Sequence, residues 1–255
     1  MPTFLSPQND AVFKLLFGKS ENSELLIDFL TAVLAPPVPI DSVTIQNPEI
    51  PKHAAADKTI VLDVVAKLSN GQFIDIEMQV AQRAGFRSRV LFYLCRMHQN
   101  QMDVADEYLK IKPSVSIAIL GYKETDEEKF HNVFELQERD SHKLFSQDLS
   151  IHLIELPKLK KFLDNNPNDK GNLLALWSRF FMAKSKPEIK ELAMQNPIFQ
   201  KAEAALDIII GDPEAQELAR LRDKGRMMYQ YDLAEKLQEG ERKGRQEGER
   251  KGRQE

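Results

Sequence analysis

The chain has 255 residues, a formal net charge of −4 and a hydrophobic content of 42%, a composition that allows a substantial buried core. Its single cysteine excludes an internal disulfide framework and favours a reducing compartment. The N-terminus lacks the features of a signal peptide and no stretch reaches about 18 apolar residues, so we expect a cytoplasmic protein without a membrane span.

Two short helices and a strand are predicted at the N-terminus. Asn9 or Asp10 caps the first helix, Ala11–Phe17, whose apolar residues recur at helical spacing. The second helix, Glu24–Leu34, ends before a proline-rich segment that cannot continue it. A first strand is expected over Ser42–Asn47.

A β-hairpin is the clearest local prediction. Its first strand is Thr59–Leu68, which is mostly apolar, and its second is Gln72–Ala81, where polar and apolar residues alternate. Asn70-Gly71 between them is a strong signal for a two-residue turn, because both central residues of a type I′ turn need positive φ. In that geometry the residue numbers of paired partners sum to about 141.

Two carboxylates lie inside this hairpin. Asp63 is in the middle of the first strand, and Glu77 shares one face of the second strand with Gln79. The two-residue turn places Asp63 opposite Met78, so a one-residue slip or a bulge is needed to bring the two acids side by side. Carboxylates brought together repel unless a cation separates them, and a divalent metal is the usual remedy. Asp75 shares the face of Glu77 and is a competing ligand.

A long helix, Gln82–Ile111, is predicted after the hairpin and ends before Pro113. Apolar residues at helical spacing form its expected buried stripe: Phe86, Val90, Leu94, Met97 and Val104. A neighbouring polar stripe consists of Arg89, Tyr93, Arg96 and Asn100. Such a stripe is either an ordinary solvated helix face or a contact surface for an anionic partner.

Further strands and then helices complete the prediction. The strands are Ser114–Tyr122, Phe130–Glu138 and Leu149–Leu156, and the helices are Asn172–Ala183, Pro187–Met194, Ile198–Ile210 and a charged helix from Pro213 towards Leu237. This order predicts a mixed α/β core followed by a helical C-terminal region. The five histidines show no paired metal spacing, so zinc is not expected, and no phosphate-binding glycine motif is present.

The C-terminus is a tandem repeat. EGERKGRQ occurs at Glu239–Gln246 and again at Glu247–Gln254, with a glycine at every fourth residue. Each glycine costs about 1 kcal/mol relative to alanine in a helix, more than the roughly 0.2–0.5 kcal/mol that each charge pair recovers. We therefore expect a disordered or weakly helical tail; the alternative is an assembly segment that orders on a partner.

An acid inside one strand followed by E-x-Q on the next resembles the core of the PD-(D/E)XK nucleases. Asn9–Gly18 (NDAVFKLLFG), Ala56–Gln79 and the repeat tail together resemble the Rpn group of that superfamily, recombination-promoting nucleases also labelled putative transposases. The resemblance of the nuclease core covers roughly Ser6–Leu156. It implies a restriction-endonuclease-like mixed central β-sheet flanked by helices, with a nuclease-like core over 1–160, a helical region over 161–237 and the tail over 238–255.

The resemblance also implies a reaction, a metal and its ligands. Nucleases of this kind cut phosphodiester bonds in DNA with Mg²⁺, with Mn²⁺ as an alternative. By match, Asp63, Glu77 and the backbone carbonyl of Met78 are the metal ligands, which suits a hard cation that prefers oxygen. We expect a DNA endonuclease linked to recombination or mobile DNA, and nucleases resembling it often form homodimers.

The chain departs from the usual superfamily pattern at Gln79, where lysine is common. Glutamine can orient water but cannot take up its proton, so Lys58, Lys67 or a second metal is required as a substitute. This departure keeps an alternative function open, an interaction or regulatory protein that retains the fold without cleavage and uses its tail to recruit partners or to self-associate. In an active nuclease, too, the tail is expected to recruit partners or to mediate self-association.

Contacts to DNA are expected from the helix after the hairpin, through residues placed next to the acidic strand: Arg87, Arg89, Tyr93 and Arg96. The net charge of −4 neither indicates nor excludes nucleic acid, because a local basic surface can exist in a mildly acidic protein. Asp10 and Lys14 of the first helix are expected to be accessory residues of the site, although capping explains Asp10 equally well.

Overall fold

The computed structural model describes residues 4–46, 49–50, 60–61, 64–102 and 107–251. Two helices begin the chain, α1 (Asp10–Phe17) and α2 (Ser23–Leu34). Asn9 is the cap of α1, because its side-chain oxygen accepts hydrogen bonds from the backbone amides of Ala11 and Val12. Both helices lie within two residues of their predicted bounds.

The described residues form one mixed sheet of six strands, which are β1 (Val43–Gln46), β4 (Val64–Leu68), β5 (Phe73–Gln79), β6 (Ser114–Leu120), β7 (His131–Gln137) and β8 (Leu144–Glu155). Their order across the sheet is β1-β4-β5-β6-β8-β7. A separate two-stranded ladder consists of β2 (Glu49–Ile50) and β3 (Ile60–Val61). β5 and β6 pair in parallel, as do β6 and β8, and the other pairs are antiparallel. The predicted mixed α/β core is confirmed.

The register of the hairpin differs by one residue from the prediction. Val64 pairs with Ile76 and Val65 with Asp75, so partner numbers sum to 140. The amide of Leu68 donates to the carbonyl of Gln72 over 2.9 Å, and Gly71 has a φ of 91°. The loop therefore has three residues with glycine in the left-handed region, a common hairpin form. The prediction of a two-residue turn was wrong.

The two faces of the sheet have different covers. One face, which carries Ile74, Ile76 and Met78, packs against α1, α2 and the C-terminal helices in one large core. That core contains a cluster of fully buried aromatic residues: Phe13, Phe17, Phe29, Trp177, Phe180, Phe181 and Phe199. The other face carries the polar residues of β5 and is covered by the helix after the hairpin, α3.

Helix α3 spans Phe86–Gln99 and is shorter than the predicted Gln82–Ile111. It starts after Gly85, whose φ of 74° is not helical, and a separate 3-10 turn covers Tyr108–Lys110. The predicted stripe is buried over its first four members, Phe86, Val90, Leu94 and Met97, whereas Val104 is outside the described residues.

The region after β8 is helical, as predicted. Its helices are α4 (Leu159–Asn165), α5 (Leu173–Met182), α6 (Lys186–Gln195), α7 (Pro197–Gly211) and α8 (Pro213–Lys251). The prediction missed α4 and ended the last helix near Leu237, whereas α8 continues through the first EGERKGRQ repeat. Within the described ranges, no helix combines the length and apolar composition that crossing a bilayer requires.

Candidate functional site

Strand β5 places a row of polar side chains beneath α3. Asp75, Glu77 and Gln79 alternate with Ile74, Ile76 and Met78, so the polar row and the apolar row face opposite sides of the sheet. Only 1% of Asp75 and 5% of Glu77 is exposed. Because burial of a carboxylate is costly without compensating partners, these two acids are unusual for a sheet interior.

Gln79 links the acid of the E-x-Q sequence to a cation on α3. Its side-chain amide donates to Oε2 of Glu77 over 3.3 Å, and its carbonyl oxygen accepts from Nη2 of Arg89 over 3.0 Å. The amide is therefore oriented with its donor towards the carboxylate and its acceptor towards the guanidinium. The positive charge of Arg89 is thus one side chain away from Glu77.

Two tyrosines near this group remain protonated at neutral pH. Burial raises the pKa of Tyr93, and the negative charge of Glu77 raises it further, while Arg89 opposes the shift. Burial and the charge of Glu124 raise the pKa of Tyr122 well above its usual value. The buried hydroxyl of Tyr122 has no hydrogen-bond partner within the described part of the chain. Both side chains are therefore neutral hydroxyl donors beside the polar row.

Asp75 lies on the same face of β5 as Glu77, two residues further from the C-terminal end of the strand. Ser116 of β6 pairs with it in the sheet and donates to its Oδ2 over 3.4 Å. Val65 is its partner on the β4 side. An apolar residue and a serine thus flank this carboxylate within the sheet.

The alternative that used Lys67 is not supported by the geometry. Lys67 pairs with Phe73 at the turn end of the hairpin, and its Nζ lies 5.0 Å from the ring centre of Phe73. Glu77 is four residues further along β5, roughly 13 Å away at about 3.3 Å per residue. Lys67 is therefore not placed to assist chemistry at Glu77. Lys58 and Asp63 lie outside the described residues.

A cleft beside the end of β5 brings the start of α1 to the E-x-Q residues. Asp10, Met78, Gln79 and Arg83 line it, and its volume is about 440 Å³. Helix α8 contributes Leu221, Arg222, Asp223, Gly225 and Arg226 to the lining. Asp10 and Gln79 therefore line the same cleft, and the accessory role of Asp10 stays a prediction. Lys14 is half-buried on α1 and does not line this cleft.

The family model of the PD-(D/E)XK nuclease family transposases matches residues 7–240. The chain belongs to this family. Neither the curated proteins nor the solved structures give a significant match to it. The matched range includes the whole sheet and most of α8, so the helical C-terminal region is part of the family pattern.

In this family member, the four expected DNA-contact residues of α3 have different surroundings. Arg87 is well exposed, and its guanidinium holds the carboxylate and the backbone carbonyl of Glu124, each over 2.7 Å. The hydrogen bond and charge of Glu124 raise the pKa of Arg87. Arg89, Tyr93 and Arg96 are half-buried. Arg87 thus lies on the outer surface, and the other three lie nearer the sheet.

A buried ion pair anchors the loop that carries Glu124. Glu155 accepts from the backbone amides of Glu124 and Thr125 over 2.6 and 3.0 Å, and Lys158 lies 2.6 Å from its other oxygen. Burial would raise the pKa of Glu155, but these hydrogen bonds outweigh it and hold the pKa below its usual value. Sequence reasoning did not single out this pair, although Glu155 is the last residue but one of the predicted strand Leu149–Leu156.

A histidine pair on the opposite face was also not predicted. Antiparallel pairing of β7 and β8 brings His131 and His152 together, with Nε2 of the first 3.0 Å from Nδ1 of the second. They line a cavity of about 830 Å³. Burial lowers both pKa values, that of His152 to about 4 with help from His131. No group of three or more metal-binding side chains exists among the described residues.

Proposed function

We propose that the chain is a Mg²⁺-dependent endonuclease that hydrolyses phosphodiester bonds in DNA during recombination or the movement of mobile DNA, with Mn²⁺ as an alternative metal. The observation that carries the proposal is the buried Glu77 of β5 in a member of this family. Glu77 is hydrogen-bonded to Gln79, which is hydrogen-bonded in turn to Arg89 of α3. A carboxylate held at a fixed position beside a cationic donor suits the binding of a metal and of a phosphate.

The proposed metal ligands are Asp63, Glu77 and the carbonyl of Met78. The described pairing of β4 with β5 ends at Val64 and Ile76, which are the chain neighbours of Asp63 and Glu77. We propose that these two carboxylates share one face of the sheet. Two carboxylates there repel, and Mg²⁺ relieves the repulsion with few protein oxygens while it keeps water ligands. When bound, the metal supplies a water of lowered pKa and neutralises charge on the phosphate.

The remaining residues have orienting roles in this proposal. Gln79 fixes the carboxylate of Glu77 and hydrogen-bonds Arg89, whose guanidinium then faces the scissile phosphate. Arg87, Tyr93 and Arg96 contact the DNA on either side, and Asp10 assists from the adjoining cleft. The proton of the attacking water would go to bulk solvent or to Lys58.

A non-catalytic interaction protein is the second candidate function. Gln79 favours it, because both ends of its amide are engaged and neither can accept a proton from water. In that case the fold and the charged C-terminal repeats would serve partner binding.

Cleavage of supercoiled plasmid with Mg²⁺, Mn²⁺ or Ca²⁺ separates the two functions. We expect nicked or linear product with Mg²⁺ or Mn²⁺, and a loss of at least about 100-fold in Glu77→Gln and Asp63→Asn, since metal ligands dominate such reactions. Glu135→Gln, which changes an exposed glutamate on β7, is the matched control. Equal cleavage by all four proteins would refute the proposed site, and no cleavage or metal-binding heat in the wild type would favour the second candidate.

A further inference from the structure

Helix α8 is fixed beside the end of β5 by the capping residue of α1. Asn9 is 4% exposed; its oxygen caps α1, while its amide donates to the carbonyl of Ala219 and to Oδ1 of Asp223, each over 3.0 Å. Ala219 is itself 1% exposed in the core. The first turns of α8 are therefore anchored to the body of the protein, so their side chains have defined positions relative to Gln79.

Three guanidinium groups surround the cleft between α8 and β5. Arg222 and Arg226 are one turn apart on α8, about 6 Å between their β-carbons, and Arg83 lies across from them, 5.2 Å from the ring centre of Tyr229. Two carboxylates line the same cleft, Asp10 and Asp223. Cations are thus in excess beside a strand whose polar face is acidic.

The ion pairs in the cleft leave hydrogen-bond donors for a ligand. Nε of Arg222 is 3.7 Å from Oδ2 of Asp10, too far for a hydrogen bond, and 61% of the Arg222 side chain is exposed. Nη2 of Arg226 lies 3.0 Å from Oδ1 of Asp223 in an ion pair, and a guanidinium has five N–H donors. Both side chains can therefore hold an anion without breaking a buried contact.

Gly225 lines the α8 side of the cleft without a side chain that would narrow it. A β-carbon added to this residue would meet no atom within 4 Å, and the glycine costs about 1 kcal/mol relative to alanine in a helix. Between Arg222 and Arg226, the missing side chain leaves room for a backbone-sized ligand to approach the helix.

We propose that Arg222 and Arg226 of α8, with Arg83 opposite, bind phosphates of the DNA strand that passes the E-x-Q residues. This inference rests on the proposed function. The sequence analysis expected phosphate contacts from α3 alone, and the inference adds a second phosphate-binding surface on α8. Arginine suits the role because its planar donors match a phosphate and stay charged at all working pH values. The DNA backbone then lies between α3 and α8 over the end of β5.

The test is DNA binding, measured separately from cleavage. Fluorescence anisotropy of a labelled duplex in Ca²⁺, over a range of salt concentrations, is compared for the wild type, Arg222→Gln/Arg226→Gln and Arg220→Gln/Lys224→Gln. The last pair removes the same charge from interleaved positions of the same helix that do not line the cleft. We expect the cleft pair to weaken binding roughly tenfold and to reduce the salt slope by about 2, one for each phosphate contact, with less than twofold loss in the control pair.

A third variant, Gly225→Glu, places a carboxylate between the two arginines and is expected to weaken binding at least as much. Circular dichroism and thermal unfolding, similar in all variants, exclude a folding defect. Equal binding by the cleft pair and the control pair would overturn the inference, whatever the cleavage assay shows. Duplex binding that depends on Arg222 and Arg226 in a chain that does not cleave would uphold it and refute the nuclease activity. A wild type that does not bind DNA would refute both.

Discussion

Arg89 donates a 3.0 Å hydrogen bond to the side-chain oxygen of Gln79, at the position where the superfamily commonly has lysine. The guanidinium therefore brings a positive charge to the neighbourhood of Glu77 from a helix rather than from the strand itself. Because the amide of Gln79 also donates to Glu77, the three side chains form one chain of hydrogen bonds. The charge that lysine would supply is thus available, while its ability to exchange a proton is not.

Arg89→Gln is expected to reduce single-turnover cleavage about 10- to 100-fold, because it removes the cation next to the reacting phosphate. Its effect on unfolding should stay within about 1 kcal/mol, since the residue is only half-buried. Plasmid cleavage rates and urea unfolding measure the two effects. Arg139→Gln, on an exposed turn, makes the same chemical change elsewhere and should cleave like the wild type. An Arg89→Gln protein with unaltered cleavage would remove Arg89 from the site.

Tyr122→Phe is expected to leave the protein equally stable or to stabilise it by up to about 1 kcal/mol. The reason is that the buried hydroxyl has no hydrogen-bond partner among the described residues, and an unsatisfied buried polar group costs about 1–3 kcal/mol. The measurement is the free energy of unfolding in urea. Tyr231→Phe, which removes a hydroxyl from a residue that is 78% exposed, should change nothing. Destabilisation by more than about 1 kcal/mol would mean that the hydroxyl has a stabilising partner.

Local patterns predicted much of the fold, and their failures have physical causes. The alternation of β5 correctly separated Glu77 and Gln79 from Ile76 and Met78, because strand period depends only on neighbouring residues. The predicted register of the hairpin was wrong by one residue. Asn70-Gly71 fits loops of two or three residues, and the choice between them depends on how the strands pack. Because of this shift Val64 pairs with Ile76, whereas the two-residue turn would have paired it with Glu77.

Contacts between distant segments could not be predicted from the local sequence patterns. His131 and His152 are 21 residues apart, and only the antiparallel pairing of β7 with β8 brings them together. Asp10 and Gln79 meet at one cleft because α1 packs near the end of β5. The resemblance identified the E-x-Q residues, but the link from Gln79 to Arg89 required the position of α3. The sequence predicted its start at Gln82, and the helix starts at Phe86.

Lys158→Met is expected to destabilise the protein by about 3–5 kcal/mol. It leaves the carboxylate of Glu155, which is fully buried, without its cation, and an uncompensated buried charge carries a penalty of that size. Chemical denaturation at pH 7 measures the loss. Lys161→Met is the matched control, because it breaks a pair with Glu128 in which both side chains are well exposed, and such pairs contribute less than about 1 kcal/mol.

The double variant Lys158→Met/Glu155→Leu tests the same explanation. With both charges removed, much of the stability should return, since apolar residues can replace a buried ion pair at little cost. The amides of Glu124 and Thr125 lose an acceptor in this variant, so full recovery is not expected. A double variant as unstable as Lys158→Met would show that the penalty does not come from the unpaired carboxylate.

His152 is expected to make the protein less stable as the pH falls. Its folded pKa, lowered to about 4 by burial and by His131, is below the ordinary value of about 6.5 that an unfolded chain has. Between these two values the unfolded state binds more protons than the folded state, so the free energy of unfolding rises with pH across this window and falls as pH drops. The full difference corresponds to roughly 3 kcal/mol at most, at 1.36 kcal/mol per pH unit.

Replacement of His152 by glutamine should remove most of this dependence between pH 4 and about 6.5. Urea unfolding at half-unit pH steps measures it, with His142→Asn as control, because His142 is exposed at a positive φ of 53° that asparagine tolerates. Glu135 and Lys129 line the same cavity, and His131 titrates beside it, so part of the slope should persist. A slope unchanged in His152→Gln but absent in His131→Gln would assign the buried proton uptake to His131 instead.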